Sequence, residues 1–319
     1  MSRRVAVTGA TGFIGGHLTE RLVTRGDDVR AVVRPGSPRP AAAGAAVFHA
    51  ALDTSALREA FEGVEAVVHL AGVVSTTREG EYSIVNVGGT RAVAEAARAA
   101  GARLIHVSSL AAAGPAPPSR PRAETDPPAP LTPYGRSKLE GERIVAGMTG
   151  LRWTILRPGV VYGPGDRAML PLFRLAKRGI MPIVGRRDAA YTFIHVSDVV
   201  YAIDRAIDAT ANDTMFLGHP QPATTRDVLN AIQSAVGRQA TLISVPSILT
   251  AAAAPICDLL GRLVGHPLPL NRSRYDELMS EGFVCSVDRL KERLGVVAKV
   301  DLVEGLRGTA AWYRQQGWL

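Results

Sequence analysis

Over the first half of the chain, short runs of β-branched and aliphatic residues alternate with longer stretches in which apolar positions recur every three or four residues. The runs predict strands over residues 4–8, 29–33, 66–70, 104–108 and 153–156, with a weaker one over 46–48. The stretches between them predict helices over 14–25, 55–61, 84–100 and 134–148. Strands this uniformly apolar are buried on both faces, as in a parallel sheet covered by helices, so the pattern reads as α/β with a doubly wound sheet. Ligands in such sheets sit at the carboxyl ends of the strands. Beyond residue 163 the pattern loses its regularity: short strands are predicted near 181–184, 192–195 and 215–217, and helices over 199–207, 226–236 and 303–315. The chain therefore divides into residues 1–163 and residues 164–319, the latter a smaller C-terminal substrate-binding cap with some elements returning to the first domain. A Pro-rich segment, 114–133, is too long for a simple connection and reads as functional or mobile.

Directly after the first strand comes TGATGFIG, which places Gly9, Gly12 and Gly15 three apart ahead of an amphipathic helix. Glycines let a pyrophosphate approach the backbone, and the helix N-terminus offers unpaired N–H groups and about half a positive charge. Between a β-run and a helix this motif points to dinucleotide binding in a Rossmann-type fold. The second strand ends Val33-Arg34-Pro35, with no acid before Asp53. An acid there would accept from a ribose 2′-hydroxyl, whereas Arg34, helped by Arg39, suits a 2′-phosphate; NADP(H) is favoured and NAD(H) stays open.

Tyr134-Gly-Arg-Ser-Lys138 opens a helix, with Thr132 as N-cap and Pro133 at the first helical position. The spacing of four puts Tyr134 and Lys138 on one face. An adjacent ammonium and an oxidised nicotinamide would stabilise a phenolate that otherwise forms only near pH 10. Ser108 and Ser109 end a predicted strand at the same edge of the sheet. Together these motifs resemble the extended short-chain dehydrogenase/reductase superfamily of NAD(P)-dependent epimerases, dehydratases and hydroxysteroid or dihydroflavonol-type reductases. HLAG at 69–72, NVGGT at 86–90, SSLAAAG at 108–114, RPGVVYGPGD at 157–166 and FIHVSDVV at 193–200 extend the match across nearly the whole chain. The resemblance implies Tyr134 as general acid/base, Lys138 on the nicotinamide ribose, and Ser109, aligned on Gly114, orienting the substrate oxygen, with hydride passing to or from the nicotinamide. It also implies cofactor contacts from Gly9, Thr11, Gly12, Phe13, Ile14, Arg34, Leu52, Leu70, Ala71, Gly72, Val107, Tyr134, Lys138, Pro158 and Val160. Asn86 is divided between supporting the site and capping local backbone.

Three positions depart from the nucleotide-sugar members of that group: Tyr191 where they often place a diphosphate-binding Arg, Val160 where they often carry Asn, and Ala113 where they often carry Tyr. Ala51 stands where many relatives have an adenine-contacting Asp. The apolar stretch 247–264 falls in the expected cap, either lining an apolar pocket or packing between the domains. The reading is a dehydrogenase/reductase interconverting a secondary alcohol and a ketone on an apolar small molecule; a nucleotide-sugar epimerase/dehydratase and a non-catalytic NADP(H)-binding subunit are the alternatives.

Composition narrows the remaining classes. With 46% hydrophobic and 21% charged residues, the 319-residue chain is an ordinary globular sequence. Its net charge of +8 comes from arginines scattered among acids, without a basic run interleaved with aromatics, which argues against a nucleic-acid partner. Cys257 and Cys285 build no disulfide framework and no Cys or His pair has metal-ligand spacing, so no metal is expected and a reducing, cytoplasmic setting is. Both cysteines are expected to be buried small hydrophobes, and His195 a structural hydrogen-bonding residue. Pro255, Asp258 and Arg262 interrupt the longest apolar stretch, so no stable membrane span is expected. A homodimer is usual among the relatives the chain resembles.

Overall fold

In a computed structural model that describes every residue except Met1, Pro38, Arg39, Glu79 and Arg187, seven parallel strands form one sheet. They are β1 (Arg4–Thr8), β2 (Asp28–Val33), β3 (Ala46–His49), β4 (Ala66–His69), β5 (Arg103–Val107), β6 (Trp153–Pro158) and β7 (Asp213–Leu217), in the spatial order 7-6-5-4-1-2-3. The longer helices are α1 (Phe13–Thr24), α2 (Gly89–Ala99), α3 (Pro133–Gly147), α4 (Leu170–Arg178), α5 (Val196–Ile207), α6 (Thr225–Val236), α7 (Ser247–Val264), α8 (Arg272–Met279) and α9 (Leu302–Gln315). Strand order reverses between β1 and β4, which opens a crevice at their carboxyl ends.

Both faces of the sheet are covered, which is why its strands read as unbroken apolar runs. Val5 and Val7 join a core with Leu18 and Leu22 of α1 and Val199 and Ile203 of α5. Ala6, Val67 and Leu104 point the other way, into a core with Phe61, Val93 of α2 and Val145 of α3. Each fully buried Leu or Phe contributes about 1.5–3 kcal/mol. The second half of the chain thus returns β7 and α5 to the main sheet, while α4, α6 and α9 surround a separate core with Phe173, Ile232 and Tyr313. Small sheets tie the second half to the first and to itself. Phe193–His195 pairs with Val160–Tyr162, and Ala190–Tyr191 pairs with Ala223–Thr224 and with Gly282–Phe283.

An ionic cluster closes the opposite end of the sheet. The Arg3 guanidinium meets Asp27 at 2.9 Å, Asp204 of α5 at 2.6 Å and Asp208 at 3.0 Å, and Arg21 and Arg25 each reach Asp204 at 3.0 Å. Arg3, Asp27 and Asp204 are buried, with Arg21, Arg25 and Asp208 at the rim, so β1, α1 and α5 are joined by a partly buried ionic cluster.

Several local expectations change. The helix predicted over 84–100 is a π-helical segment, Ser83–Gly88, running into α2. The Pro-rich segment is fixed by backbone bonds rather than loose: Ala116 and Arg122 N–H groups donate to Gly282 and Val284, and Ala129 N–H donates to Ala113. Stretch 247–264 is one continuous helix through Pro255, yet only Thr250, Ala254 and Gly261 are buried along it, so packing between domains is not its role. Cys285 is buried, but Cys257 is only half-buried.

Candidate active site

The loop after β1 has the residue types its geometry demands. Gly9 has φ +74°, and a Cβ there would stand 2.7 Å from Ala71 N; on Gly15 it would stand 2.1 Å from Gly9 O. Gly12 N–H donates to Gly9 O at 2.9 Å and Gly12 is the N-cap of α1, which has no side-chain cap and no acid in its first turn. The N-terminus of α1 therefore keeps its positive potential for an anion, with Thr11, Phe13 and Ile14 half-buried around it. These features fit a dinucleotide pyrophosphate. Leu70 N–H donates to Thr8 O at 3.1 Å, which sets Ala71 and Gly72 beside the same loop. Arg34 is exposed at the end of β2, while Arg39 lies outside the described residues. Leu52 packs on α2, where a Cβ on Gly89 would stand 2.7 Å from its Cδ1.

On the other side of the crevice, Thr132 Oγ1 accepts from Gly135 N–H at 3.1 Å and Pro133 takes the first turn, so α3 starts where the sequence predicts. Lys138 is buried, and its ammonium donates to the Val107 carbonyl at 2.9 Å at the end of β5. Burial pulls it down to about 8, with Glu142 acting in the opposite sense. Glu142 in turn is held by Arg157 through two bonds of 2.9 and 2.6 Å. Ser109 caps the turn Leu110–Ala112, its Oγ accepting from Ala111 N–H at 3.1 Å, which leaves the hydroxyl proton available to a neighbour. That neighbour is the Tyr134 phenol. Ser108, by contrast, is buried under the strand end, its Oγ without a partner among the described residues.

Burial dominates the electrostatics of this group. Burial pushes the Tyr134 phenol up to about 12; the Ser109 hydrogen bond lowers it, and Glu277 of α8 and Tyr82 raise it further. The Lys138 ammonium donates a hydrogen bond to Val107 and also bears on His69 and His106.

Asn86 joins both of its anticipated roles. Its side chain accepts from Val73 N–H at 2.8 Å and donates to Val73 O at 2.9 Å and to Ser137 Oγ at 2.9 Å; Ser137 in turn donates to Tyr134 O at 2.7 Å. The π-helical segment thus ties the β4 loop to the first turn of α3. Under α3, His69 and His106 stack with centroids 5.4 Å apart, and His69 also meets Thr8 Oγ1 at 2.7 Å and Thr90 Oγ1 at 3.1 Å. Burial and Lys138 hold both rings neutral, His69 at about 3.

The sequence profile of the NAD dependent epimerase/dehydratase family matches residues 5–218. The chain belongs to that family. It is 34% identical over 330 residues to a ceramide reductase of Caulobacter vibrioides, covering 99% of this chain and 96% of that one. It is 31% identical to sterol demethylase protein B of Methylococcus capsulatus, over 98% of both chains. Among solved structures, the UDP-glucose 4-epimerase of Thermus thermophilus in complex with NAD superposes with a TM-score of 0.79 at 27% identity, over 98% of this chain and 99% of that one. The chain is thus an NAD(P)-dependent enzyme of the extended short-chain dehydrogenase/reductase type.

Pro158 ends β6, and Val160, at the start of the next short strand, donates its N–H to Thr192 O at 2.8 Å. His195 caps α5, its Nδ1 2.7 Å from Ser197 Oγ. Tyr191 packs against an apolar group containing Leu110, Phe216 and Phe283. Two neighbours of Tyr134 lie outside the sequence reading. Tyr82, just ahead of the π-helical segment, has its ring centroid 6.3 Å from that of Tyr134. Glu277, half-buried and 3.3 Å from Arg274, comes from α8, and nothing local in the sequence marks it.

Proposed function

We propose that this chain is an NADP(H)-dependent reductase that converts a ketone on a lipid-like, apolar molecule into a secondary alcohol. The carrying observation is Tyr191: at the position where an Arg would hold a sugar diphosphate, an aromatic side chain packs into an apolar group. The end-to-end similarity to a ceramide reductase and to a sterol demethylase component supports the same substrate class.

NADPH, held by the N-terminus of α1 and by Lys138, would supply a hydride for the carbonyl carbon. Tyr134 gives its phenolic proton to the carbonyl oxygen as that oxygen gains charge. Ser109, whose hydroxyl proton faces Tyr134 in the free protein, turns that proton to the same oxygen when substrate is bound. Lys138 keeps two N–H groups beyond the one on Val107 for the ribose hydroxyls. Arg34 pairs with a 2′-phosphate, which favours NADPH over NADH. Residues 164–319, apart from β7, α5 and the segment around Leu290–Ala298 that return to the main sheet, supply the substrate side. The unpaired thiols of Cys257 and Cys285 suit a reducing cytoplasm, and a homodimer belongs to the same reading.

The test is to follow NADPH oxidation with long-chain and sterol-like ketones and, in parallel, with UDP-glucose. Stoichiometric oxidation with an apolar ketone is expected. Epimerisation of UDP-glucose without net NADPH consumption would assign the chain to sugar-nucleotide chemistry instead.

A further inference from the structure

On α7 the large side chains point away from the protein. Its buried positions are Thr250, Ala254 and Gly261, which at about 100° per residue fall within ~40° of one another. They face inward, with Gly261 set against Thr77 of the loop after β4. Ile248, Leu249, Ile256, Leu259, Leu260 and Leu263, each between 45% and 75% exposed, fill a separate arc of about 120°. A surface helix normally buries its large apolar stripe, so this arrangement is inverted. A contiguous patch of this kind marks an interaction surface.

We propose that this face of α7 docks flat on an anionic lipid bilayer, from which the substrate reaches the cleft; the substrate part rests on the apolar-ketone reading above. Charge favours this occupant. No ionised side chain falls within the exposed arc. Asp258 at its flank is matched by Arg272 at 3.7 Å, whereas Arg262 has no ionic partner among the described residues. The whole chain carries +8, which attracts an anionic surface.

Although α7 is long and apolar enough to cross a membrane, both of its ends return to the same body. Thr241–Ser244 before it pairs with Ile180–Ile183, and Gly282–Phe283 after it pairs with Ala190–Tyr191. The helix therefore lies in the interfacial plane, over a length of about 27 Å for its 18 residues. Helix α8 packs on it and carries Glu277 to the Tyr134 side of the cleft, so the docking face and the reacting end share one helical pair.

The experiment is co-flotation of the full chain with vesicles of phosphatidylcholine and phosphatidylglycerol in equal parts, and with phosphatidylcholine alone. The wild type is expected to float with the mixed vesicles and less with the neutral ones. Leu259→Asp combined with Leu263→Asp should lower partitioning by at least about tenfold, because two apolar contacts are lost and two anionic groups gained. Both positions are 60% exposed or more, so thermal unfolding and NADPH binding should stay unchanged. A wild type that stays with the soluble fraction, or a double variant that floats equally well, overturns the proposal. So does a wild-type dimer, seen by light scattering, that the double variant splits without any vesicle binding, since the face would then belong to a second copy. Docking without reduction of any apolar ketone would sink the substrate reading alone; reduction without docking would sink this one alone.

Discussion

At the scale of single residues, Lys138 and Arg34 make separable contributions. Lys138 is charged below its pKa of about 8 and neutral above it, so its hold on the cofactor weakens as pH rises through that value. The Tyr134 phenol remains protonated over the same range. The kcat/KM for NADPH-dependent reduction should therefore fall above pH about 8, and a profile flat to roughly pH 10, the ordinary lysine value, would contradict the assignment. If Arg34 pairs with a 2′-phosphate as proposed, replacing it with Ala removes a charge-assisted contact of about 1.5–3 kcal/mol, so NADPH affinity should drop about tenfold to a hundredfold while NADH affinity barely changes. Equal losses for both cofactors would defeat the preference. The positions of Gly9, Tyr134 and Lys138 were legible in the sequence because each sits at a fixed offset from a strand end or helix cap. Glu277 was not, because it reaches Tyr134 only through the packing of α8.

Elements were legible where local pattern and burial agree. The bounds 4–8 match β1 because its strand is apolar on both sides and ends in a glycine turn. Strands such as Ala190–Tyr191 and Gly282–Phe283 are two residues long and exist only by pairing with distant chain, so no local periodicity announces them. The π-helical turn at Ser83–Gly88 has the same apolar content as a regular helix, and only the hydrogen bonds of Asn86 reveal why its register shifts. The start of α3 gives a direct test of element against site. Thr132→Ala should cost about 1 kcal/mol of stability in denaturant unfolding, through loss of the cap to Gly135. It should also reduce turnover, since Tyr134 lies in that first turn; a change within a few tenths of a kcal/mol would mean the cap does not set the helix start.

For the molecule as a whole, the charges at the foot of the sheet join the two halves of the chain. Asp27 is desolvated by burial, but its bonds to Arg3 and the nearby Arg25 outweigh that and hold its carboxyl below the ordinary value of 3.8. A depressed carboxyl contributes stability above its unfolded pKa and loses it as pH falls through the folded one, so thermal stability should decline steeply below pH about 4. Asp27→Asn should be less stable at neutral pH and flatter on the acid side; an unchanged acid slope would place the titration elsewhere. None of this cluster was evident from sequence, because Arg3, Asp27 and Asp204 meet only once α5 has returned to the main sheet. At the opposite end of the same sheet, the account stands on proton delivery by Tyr134, and the most direct measurement is single-turnover reduction of an apolar ketone by NADPH-loaded Tyr134→Phe. Loss of about a thousandfold in rate with NADPH binding intact is the predicted result; a rate equal to wild type would contradict it.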